Sequence, residues 1–439
     1  MIFRNTTFQA YALMGVALAG VGVFQSWSLA LTIFMYCLVA GVMALGLNIQ
    51  WGYAGLFNVG LMGFAALGGV SAVWVSMPPV TEAVQAGGSG ILAGLVAAAI
   101  AGGLAILLRK HMAPGRARTA LVWFTVVGGY LLMRSIIDPA VAAIEAVNPS
   151  QTGYLGGLGL PIVWSWVVGA VLAGAVAWVI GKITLGLRSD YLAIATLGIS
   201  EIIMSVLRYE EWLTRGVKNV NGLPRPVPFE VDLQRLGWVQ DLALTMGFSV
   251  QEMSSILVKL SYIGLAGAVL LALYVLVEVA SRSPWGRMMR AIRDNEHAAA
   301  AMGKDVTGRH LQVFVLGSAI VGMAGAMLVT MDGQFTPNSY NPLRFTFLIW
   351  VMVIVGGSGN NAGAILGGFV IWFFWVQAEP MGLWFMQLVT SGMGPGPLKA
   401  HLIDSAAHMR LMVMGLILLL TLRFRPRGLL PERTGPVRH

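Results

Sequence analysis

Charged residues are scarce in this chain. Only 11% of its 439 residues are Asp, Glu, Lys or Arg, whereas 57% are hydrophobic. A soluble domain needs more polar surface than this composition supplies, so a water-soluble protein is excluded. Several apolar runs approach the ~20 residues that a helix needs to cross the hydrocarbon core of a bilayer. The composition therefore predicts a single polytopic membrane domain over residues 1–439, in contact with membrane lipid.

Cysteine is nearly absent, and the common catalytic motifs are missing. The single cysteine, Cys37, lies inside an apolar run, which excludes a disulfide and a thiolate metal site and favours a packing role. The six histidines form no metal motif with carboxylates, and the run GGSGNN at 356–361 lacks the Lys-Ser/Thr of a phosphate loop. The sequence thus predicts no enzyme, no metal and no cofactor, with any ATP bound by partner subunits.

The positive charge follows the positive-inside pattern of membrane proteins. The net charge is +9, and the basic residues cluster in short segments between apolar runs, which argues against a nucleic-acid partner. Counting from a cytoplasmic N-terminus places every basic cluster on the cytoplasmic side, with both termini inside. The candidate spans of this all-α bundle, about 10–12 in number, are 10–24, 30–49, 53–76, 90–108, 119–137, 161–181, 190–207, 256–281, 311–331, 345–357, 360–378 and 409–423.

Two segments are predicted to lie outside the membrane, and two are predicted to interrupt helices. Residues 208–255 form a periplasmic loop and 282–310 a cytoplasmic loop by this count. Glycine-rich joins at 52–69 and 356–368 are typical of broken or re-entrant helices, which are tolerated at membrane depth only where protein or a water-filled cavity surrounds them.

The cytoplasmic loop contains one predicted amphipathic helix within 281–305. Ser283 is a suitable N-cap, Pro284 suits the first helical position and Gly303 ends the pattern. Such a helix lies along the membrane surface and presents its charged face to a soluble partner. The alternative is a plain interfacial helix that holds two spans together. The candidate coupling residues are Trp285, Arg287, Arg290, Arg293, Asp294 and Glu296.

Polar residues inside predicted spans are functional candidates because burying them in lipid is costly. Asn48, Gln50 and Asn58 lie among glycines and either line a hydrated substrate path or form hydrogen bonds between helices. Glu201 lies well inside its span and either faces the same path or forms a structural charge with Arg208, two turns along.

Several stretches resemble one transporter family. They are ALGLNIQWGYAGLFNVG (44–60), LRSDYLAIATLGISEII (187–203), SPWGRMMRAIRDNEHAAAAMG (283–303), AGAMLV after Met323, VGGSGNNAGAILG (355–367) and LRFRPRGLLP (422–431). Together they resemble the M-type permease of high-affinity branched-chain amino-acid ABC transporters. The resemblance implies a heteromeric importer of the bacterial inner membrane. Its other parts are a second homologous permease, two cytoplasmic ATPase subunits docked on the 283–303 segment, and a periplasmic substrate-binding protein.

Two departures from the family pattern leave the substrate open. Leu61 stands where the family usually has a polar residue, and the segment LTRGVKNVNGLP (213–224) contains an insertion. Relatives of this architecture carry urea, short amides or other amino acids. A stand-alone secondary transporter is a further alternative, in which Glu201 is the ion-linked site and the three amides contribute ligands.

Overall fold

The chain folds almost entirely into helices. The computed structural model describes residues 6–149, 152–394 and 396–432. In this part of the chain ten helices are long and apolar enough to cross a membrane, and two shorter apolar helices accompany them. The predicted all-α multi-pass bundle with about 10–12 spans is therefore confirmed.

The helices follow the predicted spans closely. In chain order they are α1 (Thr6–Phe24), α2 (Trp27–Leu47), α3 (Leu61–Ser76), α4 (Thr81–Ala83), α5 (Ser89–His111), α6 (Arg116–Glu145), α7 (Trp164–Thr184), α8 (Ser189–Tyr209), α9 (Glu211–Thr214), α10 (Glu230–Gln234), α11 (Gly237–Met246), α12 (Val250–Arg282), α13 (Pro284–Asp294), α14 (Glu296–Ala301), α15 (Val306–Asp332), α16 (Pro342–Gly356), α17 (Asn361–Val389), α18 (Pro397–Asp404) and α19 (Met409–Phe424).

The centre of the bundle is formed by α2, α3, α7, α15 and α17, whose side chains supply most of the main core. Small residues let these helices approach closely, because lipid provides no hydrophobic force to drive helices together. At the crossing of α3, α7 and α15 a Cβ on Gly169 would lie 3.1 Å from the Cα of Gly68, and a Cβ on Gly322 would lie 2.7 Å from the carbonyl oxygen of Gly169.

Contacts between loops define two opposite faces of the bundle. On one, the outer face, strand β1 (Val220–Asn221) pairs antiparallel with β2 (Gln334–Phe335), and Pro79 bridges Gly156. The predicted external loop folds there into α9, α10 and α11, and residues of α10 and α11 pack on α12 in a small core of their own. The other, inner face carries α13, α14 and the chain end at 425–432.

The helix boundaries differ from the predicted edges at two informative places. The span predicted from residue 53 begins only at Leu61, because Gly55 takes a left-handed φ of +71° and residues 55–60 are not helical. The span predicted from 256 begins at Val250, where Ser249 and Glu252 form a capping box that starts the helix in the outer loop.

A helical hairpin of α5 and α6 lies at the edge of the bundle. Its buried residues form a separate small cluster around Ile91, Ile137 and Ile144, while most of its apolar side chains are exposed. The sequence assigned the surrounding stretch, about 78–160, no role beyond scaffolding, and that remains a prediction.

Candidate functional site

The first helix break lies between α2 and α3. After Leu47 the backbone continues as a wider π-helical turn, Asn48–Tyr53, and residues 55–60 before Leu61 are not helical. Gly52 is required in this turn, since a Cβ there would lie 2.6 Å from the backbone nitrogen of Gly359. That nitrogen belongs to the second break, at 357–360 between α16 and α17. The two predicted breaks therefore meet in space.

Asn48 joins the two breaks directly. Its Nδ2 donates to Oδ1 of Asn361 at 3.0 Å, and its Oδ1 accepts from the backbone N–H of Gly359 at 2.9 Å. Asn361 extends the chain of bonds to α12, because its Nδ2 donates to Oε2 of Glu278 at 2.8 Å. Asn48 therefore connects the first break to the second, and Asn361 connects both to α12.

Gln50 and Asn58 join the first break to α15. Gln50 Nε2 donates to the carbonyl of Phe314 at 2.9 Å and to Oγ of Ser318 at 3.0 Å. Asn58 Nδ2 donates to Oε1 of Gln50 at 2.9 Å, and Asn58 Oδ1 accepts from the N–H of Gly60 at 2.8 Å. Trp350 of α16 donates to the Asn58 carbonyl at 3.0 Å.

These bonds form two groups, Asn48 with Asn361 and Glu278, and Gln50 with Asn58, which we together call the amide network. Asn48, Gln50 and Asn58 are all 0% exposed, and each makes hydrogen bonds to another helix or to the break itself. The geometry matches the hydrogen-bonding alternative for these three residues. A movement that separates the two breaks therefore has to break hydrogen bonds between buried polar groups.

Glu201 lies apart from this network. It is half-buried on α8, which packs on α3, and the described residues show no ion pair between it and Arg208. The Nε of Arg208 is buried without a hydrogen-bond partner in this part of the structure. The structure therefore brings three of the four predicted path residues together and leaves Glu201 outside.

The predicted cytoplasmic helix is present, but as two helices. Asn295 leaves the helical conformation with φ −156°, and its side chain caps α14 by accepting from the N–H of Ala298 at 2.9 Å. The expectation of one continuous helix was therefore wrong. Ser283 occupies the N-cap position as predicted, yet its hydroxyl donates to the carbonyl of Ala280 instead of capping α13.

The side chains of α13 divide into an inward and an outward set. Met289 and Ile292 are buried at 0% and 1% exposure, and Trp285 donates to Oε1 of Gln312 on α15 at 3.3 Å. Arg287 and Asp294 of α13, and Glu296 at the start of α14, are exposed. This arrangement leaves three charged side chains available to a soluble partner on the inner face.

Arg293 is the contact point between α13 and the rest of the site. Its Nη1 donates to the Gly52 carbonyl in the first break and to Oε2 of Glu432 at 3.0 Å, while its Nε pairs with Asp294 at 3.1 Å. Partial burial opposes the charge on Arg293, but Glu432 and Asp294 outweigh burial and raise its pKa above the ordinary value. The two neighbouring carboxylates therefore stabilise the positive charge of Arg293.

The C-terminal strap, residues 425–432, lies against the second break. The N–H groups of Leu429 and Leu430 donate to the carbonyls of Val355 and Gly356 at 2.8 and 2.9 Å. Leu430 is 3% exposed, and Glu432 reaches Arg293. Arg290 provides a second connection from α13 to the first break. It donates to the Ser281 carbonyl of α12 at 3.3 Å and lies over the ring of Tyr53.

Sequence reasoning missed three members of this site: Glu278, Asn361 and Glu432. Glu278 was visible as a carboxylate inside a predicted span, where an ionisable residue is a functional candidate by default. Asn361 stood within a predicted break. Nothing in the sequence placed Glu432 beside Arg293, because that contact joins residues 139 positions apart.

Removing one member of the network should show how much its hydrogen bonds contribute to the stability of the protein. Asn48→Leu leaves Oδ1 of Asn361 and the N–H of Gly359 without partners, and each buried unsatisfied group costs about 1–3 kcal/mol. We expect the double variant Asn48→Leu/Asn361→Leu to lose less than the sum of the single variants. Unfolding by detergent titration measures these losses. Gln251→Leu, an exposed amide on α12, is the control, and strict additivity contradicts the shared network.

In the part of the chain that the structure describes, ten membrane-length helices and two shorter apolar helices surround two helix breaks that meet at the centre, and an amphipathic surface helix contacts one of the breaks. Residues 140–422 match the family described as "Branched-chain amino acid transport system / permease component", and the chain belongs to that family. The match begins near the end of α6, so most of the α5–α6 hairpin and the first break lie outside it.

Individual relatives agree with the family. The chain is 24% identical over 317 residues to the probable branched-chain amino acid transport permease protein LivM of Methanocaldococcus jannaschii, covering 72% of this chain and 80% of that protein. It is 27% identical over 294 residues to the high-affinity LivM permease protein of Escherichia coli K12, covering 66% of this chain and 61% of that protein. The probable LivH permease of M. jannaschii is 27% identical over 246 residues, which cover 56% of this chain and 67% of LivH. No solved structure matches the chain.

Proposed function

We propose that this chain is one of two pore-forming permease subunits of an ATP-binding-cassette importer for branched-chain amino acids in the bacterial inner membrane. A second homologous permease, two cytoplasmic ATPase subunits and a periplasmic substrate-binding protein complete the transporter. ATP is bound and hydrolysed by the ATPase subunits, and this chain performs no chemistry. The observation that carries the proposal is the contact of Arg293 with both Gly52 and Glu432.

This contact provides a physical connection from an ATPase subunit docked on α13 to the amide network. The exposed Arg287, Asp294 and Glu296 provide charges for docking an ATPase subunit on α13. The half-buried Arg293 passes a displacement of α13 to the carbonyl of Gly52, four residues from Asn48. Because Asn48 forms hydrogen bonds with the second break, a displacement of α13 acts on both breaks at once. Packed elements with two discrete arrangements carry such coupling.

The names of the relatives support the substrate and the second permease. LivM and LivH proteins are both named as branched-chain amino acid permeases, and both types are similar to this chain. Urea, short amides and other amino acids remain alternative substrates. The ion-coupled transporter loses support, since Glu201 stands outside the amide network and carries none of its bonds.

Reconstitution tests the proposal directly. We expect proteoliposomes that contain this chain, the second permease and the ATPase subunits to accumulate L-leucine only when binding protein is outside and ATP inside. Urea and acetamide, supplied with the same binding protein, should not accumulate. Uptake by this chain alone under a proton or sodium gradient, abolished by Glu201→Gln, is the result that overturns the importer and establishes a secondary transporter.

A further inference from the structure

A cavity lies on the outer side of the amide network. It has a volume of about 280 Å³ and is enclosed by α2, α3, α15, α16 and α17. Small-molecule sites usually measure ~300–1,000 Å³, so this space, just below that range, suits a small solute. Met43 in its wall stands five residues before Asn48, and Met352 stands four residues before Gly356. The cavity therefore ends close to the amide network.

The wall of this outer cavity is almost entirely aliphatic and aromatic. Besides the two methionines it is formed mainly by Val39, Leu348, Ile349 and Trp372. Such a wall gains free energy by removing apolar surface from water, about 25 cal/mol per Å². The cavity thus favours a solute with a branched apolar portion.

One acidic group stands at the outer rim of the cavity. Asp332 is the last residue of α15 and is exposed, and it accepts a hydrogen bond from the hydroxyl of Tyr36. Tyr36 is held in place by stacking on Trp372, with ring centroids 5.8 Å apart. A carboxylate has about four acceptor sites, so Asp332 retains capacity for a further donor.

Positive charge lies outside the wall of the cavity. The guanidinium carbon of Arg344, which is exposed at the start of α16, lies 5.7 Å from the ring centroid of the wall residue Phe345. It lies closer, at 4.9 Å, to the ring centroid of Trp375, which does not line the cavity. Asp332 is therefore the charged residue of the wall, and one carboxylate beside an apolar pocket matches a solute that carries a cationic group and an apolar side chain.

We propose that the outer cavity is a binding site for an aliphatic α-amino acid. The ammonium group donates to Asp332 at the exposed rim, the carboxylate stays toward solvent there, and the side chain lies between Met43 and Met352. This assignment rests on the proposed function, since it names a place in this subunit where the imported solute is held. A lipid acyl chain is the other occupant that suits an apolar cavity, and it predicts that leucine does not protect a thiol in the wall.

Cysteine labelling tests the site in the assembled transporter. The single native cysteine of this chain is 0% exposed, so Ala40→Cys, in the cavity wall, adds the one thiol that a reagent can reach from this cavity. We expect aminoethyl methanethiosulfonate added outside to modify it. L-leucine at ten times its Kd should slow the modification about tenfold. 4-Methylpentanoate, which lacks the ammonium group, should not protect at that concentration.

Two variants make the outcome specific to the charge. Asp332→Asn should remove the protection by leucine, whereas Asp241→Asn, an exposed acid of α11 away from the cavity, should leave it unchanged. Ser339→Cys, on the exposed rim, is a second reporter position that does not depend on tolerance of a change in the wall. Labelling that leucine does not slow at either position overturns the site.

Uptake measured in the same vesicles separates this proposal from the importer itself. ATP-driven leucine uptake without protection of either thiol contradicts the outer-cavity site and leaves the importer standing. Protection without ATP-driven uptake keeps the site and contradicts the importer. Where both are present, Asp332→Asn should raise KM for leucine at least about tenfold, which corresponds to the loss of one charged hydrogen bond.

Discussion

Arg293→Glu is expected to reduce ATP-driven uptake at least about tenfold while the transporter still assembles. The substitution removes the donor to the Gly52 carbonyl and places a second carboxylate beside Glu432. Removing one partner of a buried charge pair costs up to about 3–5 kcal/mol, and this half-buried pair should lose a part of that. Uptake of L-leucine and ATP hydrolysis, measured on the same proteoliposomes, report the loss. Hydrolysis should continue, because the ATP sites lie on other subunits.

The charge swap Arg293→Glu/Glu432→Arg provides the internal control for this prediction. It restores opposite charges across the contact, so part of the uptake should return, whereas the bond to Gly52 is rebuilt only if the new arginine reaches it. Lys304→Glu reverses an exposed charge in the same loop and should leave uptake near the wild-type rate. Equal uptake by Arg293→Glu and Lys304→Glu contradicts the role assigned to Arg293.

The bundle was predictable because each of its spans is a long apolar run bounded by charges or turn residues. The two apolar helices that are shorter than the membrane-length helices, α3 and α16, are also those that adjoin the breaks, and glycine-rich sequence marked both regions. Helix ends were less predictable where a side chain decides them. The capping box at Ser249 extends α12 into the outer loop, and Asn295 divides the cytoplasmic helix in two.

The site was predictable only where one residue is unusual in its own surroundings. Asn48, Gln50 and Asn58 were conspicuous as amides in an apolar run, and they do lie together. Their partners were not, because Ser318 and the Phe314 carbonyl are ordinary features of a helix. Contacts between distant parts of the chain, such as Arg293 with Glu432 or Tyr36 with Asp332, depend on how the helices pack. Local patterns carry no information about that packing.

Gly68→Val is expected to remove most of the correctly folded protein. A Cβ at Gly68 on α3 would overlap the carbonyl oxygen of Gly322 on α15, and Gly169 on α7 also packs closely against Gly68. Both neighbours are backbone atoms in helices, so no rotamer change relieves the overlap, and the helices themselves have to separate. Overpacking in a core costs about 1–3 kcal/mol even where side chains yield, so a clash between backbones should cost more. Size-exclusion chromatography of the detergent-extracted protein measures the folded fraction.

Gly264→Val is the matched control, since a Cβ at Gly264 on α12 meets no other atom within 4 Å. The same substitution in another apolar helix should leave the folded fraction near that of the wild type, because only the local helix propensity changes. Equal loss in both variants would mean that valine disturbs insertion in general. Loss confined to Gly68→Val shows that the α3–α7–α15 crossing is tightly packed. That crossing fixes α3 and α15 on either side of Gln50 and Asn58, so the amide network depends on it for its geometry.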